Sequence, residues 1–434
     1  MHAKQQSVLP GIIAGLFVST ISLICIVLWV RPSLPTVPAP ILHSFNNTGH
    51  SSDKWVFDTE RDRTAHGLTH AQCDVTFPLR PEINRSAIYW KDGIISAAIN
   101  ITQRNVPALR ILIYDQQLYI IQAKGAFEPW RDRMIGTLGQ IHRAIITAPE
   151  PVPNIEFSMS VKDDAPTPAS MQNAIFNFNR KNTEPEQDAL WLMPAFNYWA
   201  WKGVVGSYAP FQKMLKETDT QDMAEKKPVA VWRGAVGVNP PLREPLLKAT
   251  EGKEWADVAR VDWGNKTDLQ AKWIDMADHC DYAFPIYTEG TTWSGRLKYL
   301  LNCRSALVMP ESEWTTPLHA LLQSEGPDQN FISVRRDWQD LEEKITYYQN
   351  HWDEAQKIAD NAVATFRDHY ITPAAEVCYW RQLFKAYAKV AFEPHLYEDE
   401  EERGVYDTRR QKVRGMTYEE WSIKPADYHP NYHG

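Results

Sequence analysis

The chain lacks the features that mark several common enzyme and nucleic-acid-binding classes. Its 434 residues carry a net charge of −8 and hold no long basic run, so nucleic acid is an unfavourable partner. No HExxH, CxxC, GxSxG or Walker pattern occurs, which argues against the familiar zinc, redox, hydrolase and nucleotidase sites. Cysteine is scarce, with five residues, and the sequence shows no internal repeat and a single long apolar run.

The long apolar run lies near the N-terminus. Residues 11–30 contain no charged side chain and are flanked by Lys4 and Arg31. Twenty uncharged, mostly apolar residues can span a bilayer. A cleaved signal peptide has a shorter run and a small-residue cleavage site, which VST within the run weakly resembles. We therefore predict a cytoplasmic tail over 1–10, a transmembrane signal anchor over 11–30, and a luminal stem over 31–60 that is rich in Pro, Ser, Thr and Asn.

Glycosylation sequons and cysteines favour a luminal position for the rest of the chain. Four Asn-x-Ser/Thr triplets follow the apolar run, each of them a weak signal alone: Asn46, Asn84, Asn100 and Asn265. Four cysteines also follow it, namely Cys73, Cys280, Cys303 and Cys378. An even number suits a compartment that permits disulfides, and three pairings are possible. The predicted topology is a single-pass type II protein of the secretory pathway.

Strands and helices alternate along the body, which predicts an α/β fold with parallel sheets. In the first part, a hairpin over 109–121, an amphipathic helix over 130–147 and a strand over 154–161 are expected. Two successive sets of alternating strands and helices predict two Rossmann-like halves that face a cleft. The expected boundaries are 61–225 for the first half, 226–392 for the second half with a closing helix, and 393–434 for a charged tail.

The most informative stretch is TEGTTWSGRLKYLLNCRSALVM, residues 288–309. An apolar strand precedes it, and a helix is expected to begin near Ser294 with Arg296 in its first turn. A helix N-terminus favours an anionic ligand, and the Arg296 guanidinium matches the geometry of a diphosphate. Arg233 and Arg243 occupy similar positions after a strand or at a helix start. The three arginines could surround a diphosphate, although each one alone is equally compatible with a surface salt bridge.

Two adjacent acids follow the predicted strand of the first half. Asp163 and Asp164 lie at its carboxyl end, where open α/β sheets bind their ligands. A partly buried carboxylate at this place could act as a general base toward a hydroxyl group. The spacing alone favours a pair of solvated loop acids, or a turn-forming Asp before Pro166. A divalent metal site is the weaker alternative, because no third ligand is evident nearby.

Taken together, these motifs resemble glycosyltransferase family 90, which contains animal protein O-glucosyltransferases and fungal capsule-associated xylosyltransferases. The resemblance rests on NIEFSMSVKDD (154–164), FNFNR (176–180), DALWLMPAFNYWAW (188–201), VWRGAVGVNPPLREPLL (231–247), DHCDYAF (278–284), EGTTWSGRLKYLLNCRSALVM (289–309), GPDQNFISVRRDWQDLEEKI (326–345) and CYWRQLF (378–384). The WLMPAFNYW and GPDQN stretches are most similar to the fungal membrane-anchored branch.

The resemblance implies a GT-B-like fold that inverts the anomeric centre and holds a UDP-sugar mainly in its C-terminal half. It implies that Asp163 is the general base, with Asp164 as the second choice. The implied nucleotide-binding set is Arg233, Gly234, Arg243, Ser294, Gly295 and Arg296. The implied disulfides are Cys280–Cys303 and Cys73–Cys378.

The predicted function is that of a luminal, UDP-sugar-dependent glycosyltransferase in the membrane of the Golgi or the endoplasmic reticulum. It would transfer xylose or glucose to a hydroxyl of a glycan, glycolipid or glycoprotein. Among the 17 tryptophans, Trp199 and Trp201 are expected to stack on this acceptor. No metal site and no tightly bound cofactor are expected, and the sequence allows manganese without requiring it. The alternative is a non-catalytic glycan-binding or assembly subunit with the same fold, which the intact arginines and loop acid argue against.

Overall fold

The computed structural model describes residues 55–78, 80–103, 106–164, 173–398 and 411–424. The predicted cytoplasmic tail, signal anchor and most of the stem, together with Asn46, lie outside these residues and stay predictions. Among the described helices, none has both the length and the apolar character needed to cross a bilayer. From Trp55 onward the chain forms one unit.

Short strands and helices alternate through the described residues. The strands are β1 (Ala108–Tyr114), β2 (Gln117–Lys124), β3 (Ile155–Ser160), β4 (Ile175–Asn177), β5 (Arg180–Lys181), β6 (Trp191–Leu192), β7 (Ala200–Trp201), β8 (Gly206–Ser207), β9 (Lys227–Gly234), β10 (Ala256–Arg260), β11 (Tyr282–Pro285), β12 (Val308–Pro310), β13 (Trp314–Thr315), β14 (Ile332–Val334) and β15 (Met416–Thr417). The helices are α1 (Thr59–Asp62), α2 (His70–Thr76), α3 (Pro81–Tyr89), α4 (Trp130–Ile146), α5 (Tyr208–Thr218), α6 (Pro240–Thr250), α7 (Lys266–Lys272), α8 (Arg296–Leu300), α9 (Leu341–Gln349), α10 (Trp352–Ala362), α11 (Pro373–Ala388) and α12 (Tyr418–Ile423), with a π-helix over Val363–Tyr370.

The first half is built on a mixed sheet with the order β15-β2-β1-β3-β4-β6. The predicted hairpin is confirmed: β1 and β2 are antiparallel, and Asp115 and Gln116 at their turn have the positive φ angles typical of tight hairpins. The predicted helix over 130–147 is confirmed as α4, which buries its apolar side against the sheet. The expectation of a parallel sheet is wrong for β1, β2 and β15, because these strands pair antiparallel.

The second half contains the parallel sheet that the sequence predicts. Strands β10, β9 and β11 are parallel neighbours, as are β12 and β14. A parallel bridge between Ile286 and Val308 joins the two sets, so the full order is β10-β9-β11-β12-β14. In chain order this is 2-1-3-4-5, the arrangement of doubly wound sheets, which bind ligands at the carboxyl ends of the strands where the order reverses. Here that point lies between β9 and β11.

The end of the chain returns to the first half. Helix α11 places Val377, Trp380 and Phe384 in the core beneath the mixed sheet, so it belongs to the packing of the first half. The predicted boundary at residue 392 and the charged tail over 393–434 stay predictions. Residues 411–424 add β15 to the edge of β2 and bury Trp421 completely.

Both predicted disulfides are confirmed. Cys73 of α2 is bonded to Cys378 of α11, with 5.3 Å between their Cα atoms. Cys280 is bonded to Cys303, with 4.9 Å between their Cα atoms. The first bond joins the start of the described body to its last long helix, and the second lies within the second half.

Candidate functional site

The carboxyl end of β9 forms one wall of the site at the switch point. Trp232 is buried, and its indole N–H donates to the Thr288 hydroxyl over 3.0 Å. Gly234 is required here because a Cβ atom would lie 2.7 Å from the Trp232 ring. The Arg243 guanidinium lies 5.4 Å from the centroid of the same ring. Trp232 and Gly234 thus shape the space that Arg243 occupies.

Arg243 is a buried cation in the first turns of α6. Its guanidinium donates to the carbonyl of Glu289 over 2.9 and 3.1 Å and to the carbonyl of Ala235 over 2.6 Å. Burial, with the charge of nearby Arg296, lowers the pKa of Arg243 to about 10, so it stays charged at neutral pH. Within the described part of the chain, no carboxylate forms an ion pair with it.

Arg296 is the second cation and the first residue of α8. Its guanidinium donates to the backbone carbonyl of Arg233. Burial lowers the pKa of Arg296 to about 10. As for Arg243, the residues that the structure describes supply no acidic partner. Two neighbouring guanidiniums without a countercharge are unfavourable in the empty protein, and a bound anion would neutralise them.

The structure separates Arg233 from this pair, contrary to the prediction of a three-arginine set. The Arg233 guanidinium donates to the Asp257 carboxylate over 2.6 Å and to the carbonyls of Asp257 and Lys272 over 2.6 and 2.9 Å. Successive side chains of a strand point to opposite faces, so Arg233 points away from the side that Trp232 faces. Its contribution to the site is the backbone carbonyl that holds Arg296.

Ser294 and Gly295 position the start of α8. The Ser294 N–H donates to the hydroxyl of buried Tyr287 over 3.0 Å. The Gly295 carbonyl accepts from the Asn197 amide over 2.9 Å, and a Cβ atom at Gly295 would lie 2.9 Å from that amide and 3.1 Å from the Trp201 ring. Gly295 thus lets the two halves approach closely. Because α8 has five residues, its dipole is a small addition to the charges of the two arginines.

Asp163 lies at the meeting of the two halves. Its half-exposed carboxylate accepts from the Arg133 guanidinium over 2.7 and 3.2 Å. Its backbone carbonyl accepts from the Thr292 hydroxyl and the Asn179 amide, each over 2.8 Å. Thr292 belongs to the loop before Arg296, so this bond connects the acid to the arginine site. Asp164, the second choice, is exposed, and its ion pair is with Lys162, over 3.2 Å.

A cavity of about 330 Å³ adjoins Arg133. Its lining residues come from α4 and from the segment after β6: Pro129, Asp132, Arg133, Ile135, Gly136, Phe196, Trp199, Ala200, Trp201 and Lys202. The Trp199 ring packs on Gly139 and remains 38% exposed. Trp201 packs near Gly295, with its ring 5.8 Å from Tyr299. The cavity is therefore lined by Arg133, which pairs with Asp163, and by Trp201, which packs near Gly295.

Arg133, Thr292, Tyr287 and Asn197 are site residues that sequence reasoning missed. The Arg133–Asp163 pair spans 30 residues and the Thr292–Asp163 bond spans 129, so no local spacing marks them. The motifs over 188–201 and 289–309 contain Asn197 and Thr292 but do not distinguish them from their neighbours, and Tyr287 lies just before the second of these motifs. In the described ranges, no three His, Cys, Asp or Glu side chains cluster as metal ligands, and the expectation of no metal site stays a prediction.

Comparison with known proteins identifies the family. The profile of glycosyl transferase family 90 matches residues 71–420. Protein O-glucosyltransferase 1 of Homo sapiens is 26% identical over 255 residues, which are 55% of this chain and 63% of that protein. An O-glucosyltransferase rumi homolog of Aedes aegypti is 29% identical over 185 residues, 40% of this chain and 44% of that protein. The chain thus matches less than two thirds of the length of these relatives. Because the family profile covers most of the sequence, the chain belongs to glycosyltransferase family 90.

Proposed function

We propose that the protein is an inverting glycosyltransferase with a GT-B-like fold, which transfers glucose or xylose from a UDP-sugar to a hydroxyl of a glycoprotein, glycan or glycolipid. The supporting observation is the pair of cations, Arg243 and Arg296, that lack an acidic partner in the described residues and lie at the switch point of a parallel sheet. A diphosphate has the charge and the acceptor oxygens that this pair requires. The names of the relatives favour glucose as the transferred sugar.

The proposed reaction uses Asp163 as the base. The Asp163 carboxylate removes the proton of the acceptor hydroxyl, whose oxygen attacks the anomeric carbon from the face opposite UDP. The bond from that carbon to the diphosphate breaks, and Arg243 and Arg296 stabilise the charge on the departing UDP. Arg133 holds the carboxylate in place before the acceptor enters.

The cavity beside Arg133 is the proposed acceptor site. Trp199 and Trp201 offer flat apolar surfaces, while Asp132, Arg133 and Lys202 supply polar groups around them. A sugar or a glycosylated side chain combines the same two properties, since its C–H face is apolar and its hydroxyls form hydrogen bonds. Arg133, the ion-pair partner of the proposed base, is one of the residues that line the cavity.

The proposed location is the lumen of the Golgi or the endoplasmic reticulum, with residues 11–30 as the membrane anchor. Two disulfides in the described body suit an oxidising compartment. The same proposal includes membership of the fungal membrane-anchored branch of the family, which the WLMPAFNYW and GPDQN stretches support.

A donor screen tests the proposal. Residues 55–434, which form one unit, would be titrated with UDP-glucose, UDP-xylose, UDP-galactose and GDP-mannose, with and without Mn²⁺. We expect selective binding and slow hydrolysis of one UDP-sugar, and unchanged binding without metal. A folded protein that binds none of these donors would contradict the transferase proposal and favour the non-catalytic glycan-binding alternative.

A further inference from the structure

Two exposed tryptophans form an apolar patch near the carboxyl end of β10. Trp263 is 50% exposed and Trp273 is 37% exposed. Their rings meet edge to face, with 5.7 Å between centroids and 79° between planes. Two adjacent indoles at the surface expose apolar area to water, which is unfavourable unless something covers it.

The sequon Asn265-Lys-Thr267 lies between these tryptophans in the sequence. A turn precedes it, in which the Asn265 N–H donates to the Asp262 carbonyl over 3.1 Å and the Gly264 N–H donates to the Asp262 carboxylate over 2.9 Å. The short turn sets the position of Trp263 two residues before Asn265. Trp273 directly follows α7, the helix that begins after Asn265.

The Asn265 side chain is held with its amide nitrogen available. Its Oδ1 accepts from the N–H groups of Thr267 and Asp268, each over 3.1 Å, as the N-cap of α7. The Nδ2 group on the other side of the amide donates no hydrogen bond within the described residues. Asn265 and Thr267 are both exposed, so the complete acceptor triplet lies at the surface.

The two other sequons in the described residues differ from this one. Asn84 is exposed on α3, but Ser86 is fully buried, and its hydroxyl donates to the Leu190 carbonyl over 2.8 Å. Asn100 is exposed, but the hydroxyl oxygen of Thr102 is buried. Of the described sequons, Asn265-Lys-Thr267 alone has an exposed asparagine, an exposed hydroxyl residue and exposed indole rings nearby.

We propose that Asn265 carries an N-linked glycan whose first sugars pack on Trp263 and Trp273. Two residues span at most about 7 Å of chain, so a sugar on Asn265 reaches the Trp263 ring. The C–H face of a pyranose covers the indole, and its hydroxyls stay in water. This inference depends on the predicted luminal position and not on the proposed transferase activity.

The modification uses a lipid-diphosphate-linked oligosaccharide of the secretory pathway as its co-reactant. Nδ2 of Asn265 forms a bond to the anomeric carbon of the first sugar. The bond from that carbon to the lipid diphosphate breaks, and one Nδ2 proton is released. Because Oδ1 is already bound to the start of α7, the glycan is attached without loss of the helix cap.

The test combines removal of the glycan with removal of one of the two exposed tryptophans. The full chain would be produced in a eukaryotic secretory host, and occupancy of Asn265 would be measured by mass spectrometry of the glycopeptide. Thr267→Ala removes the sequon and keeps the Asn265 cap, while Thr267→Ser keeps both as the matched control. Hydrogen exchange over residues 261–275 would be compared with and without Trp263→Ala.

We expect high occupancy at Asn265 in the wild type and in Thr267→Ser. Loss of the glycan in Thr267→Ala should speed exchange over 261–275 several-fold, because the sugars no longer cover the patch. In the Trp263→Ala background, the same loss should have little effect. An empty Asn265 in the protein purified from the secretory host, or an equal change of exchange in both backgrounds, would overturn the proposal.

Discussion

Arg243 and Arg296 form no ion pair with a carboxylate of the described residues, although burial lowers the pKa of each to about 10. Arg233 has the same residue type and lies at the end of β9, yet its guanidinium is neutralised by Asp257. Holding two desolvated cations together lowers the stability of the empty protein, and it prepares the site for an anion without rearrangement. The same residues therefore oppose stability and favour binding.

Replacement of Arg296 by methionine tests whether this cation lowers stability while it favours anion binding. Arg296→Met should weaken UDP binding by about 10- to 100-fold, the range for loss of one charge-assisted hydrogen bond. It should leave the melting temperature of the empty protein unchanged or higher, because the repulsion with Arg243 is removed. Calorimetry and thermal unfolding measure the two effects. Arg335→Met, at an exposed arginine paired with Asp337, is the control that should change neither. Unchanged UDP affinity in Arg296→Met would remove this residue from the donor site.

The two adjacent acids should respond differently to the same substitution. Asp163→Asn should reduce transfer by about 10²- to 10⁴-fold, the usual contribution of a general base, and leave UDP binding nearly intact. Asp164→Asn is the matched control, because this exposed acid contacts Lys162 rather than Arg133. Transfer assays with the donor identified in the screen measure both. Activity of Asp163→Asn within a few-fold of wild type would contradict its assignment and make Asp164 the next candidate.

The sequence predicts which residue types occur at the site better than it predicts where their side chains point. The motifs predict Arg243, Arg296 and Asp163 at the edges where ligands are expected to bind, and their roles stay predictions. They do not indicate that Arg233 points toward Asp257, since that depends on the pairing of β9 with β10. Nor do they mark Arg133, whose partner becomes a neighbour through the packing of α4 on the mixed sheet. Local spacing determines which residues a strand end presents, and tertiary packing determines their partners.

At the scale of elements, α8 and the segment around Asn197 are joined by a buried lysine. Lys298 is 2% exposed, and its ammonium donates to the Asn197 carbonyl over 2.5 Å. The Tyr299 hydroxyl donates to the same carbonyl over 3.0 Å. The Tyr208 ring centroid lies 3.4 Å from the ammonium, and burial lowers the pKa of Lys298 well below its usual value. These contacts of Lys298 connect α8, which begins at Arg296, to the segment around Asn197, which lines the cavity beside Arg133.

Loss of the lysine should therefore affect both proposed substrate sites. Lys298→Met keeps the apolar stem and removes the bond to Asn197. We expect weaker UDP binding and a higher KM for the acceptor, each by several-fold up to about 100-fold, because α8 and the cavity wall shift relative to each other. Lys213→Met, at an exposed lysine on α5 paired with Glu217, is the control. A stable Lys298→Met protein with unchanged UDP affinity and acceptor KM would show that the contacts of Lys298 have no positioning role.

For the molecule as a whole, the first half depends on residues from the end of the chain. Helix α11, the Cys73–Cys378 bond and residues 411–424 all pack against it. The sequence predicts the alternation of elements and the parallel sheet of the second half, because both follow from local patterns. It does not predict the return of 411–424, since a two-residue strand and a short charged helix give no periodic signal. Their position is fixed by the exposed edge of β2 and by the apolar side of α4.

Replacement of Trp421 tests how much residues 411–424 stabilise the fold. Its side chain is fully buried, the Arg131 guanidinium lies 4.5 Å from its ring centroid, and Arg131 also donates to the Lys424 carbonyl over 2.7 Å. Trp421→Ala should lower the free energy of unfolding by about 3–5 kcal/mol, the usual cost of emptying a tryptophan site. Ile423→Ala, in the same helix but 83% exposed, should change it little. Because the segment packs on the first half, UDP affinity of the folded Trp421→Ala protein should be retained. Denaturant unfolding with equal midpoints for the two variants would show that residues 411–424 add little to the stability of the first half.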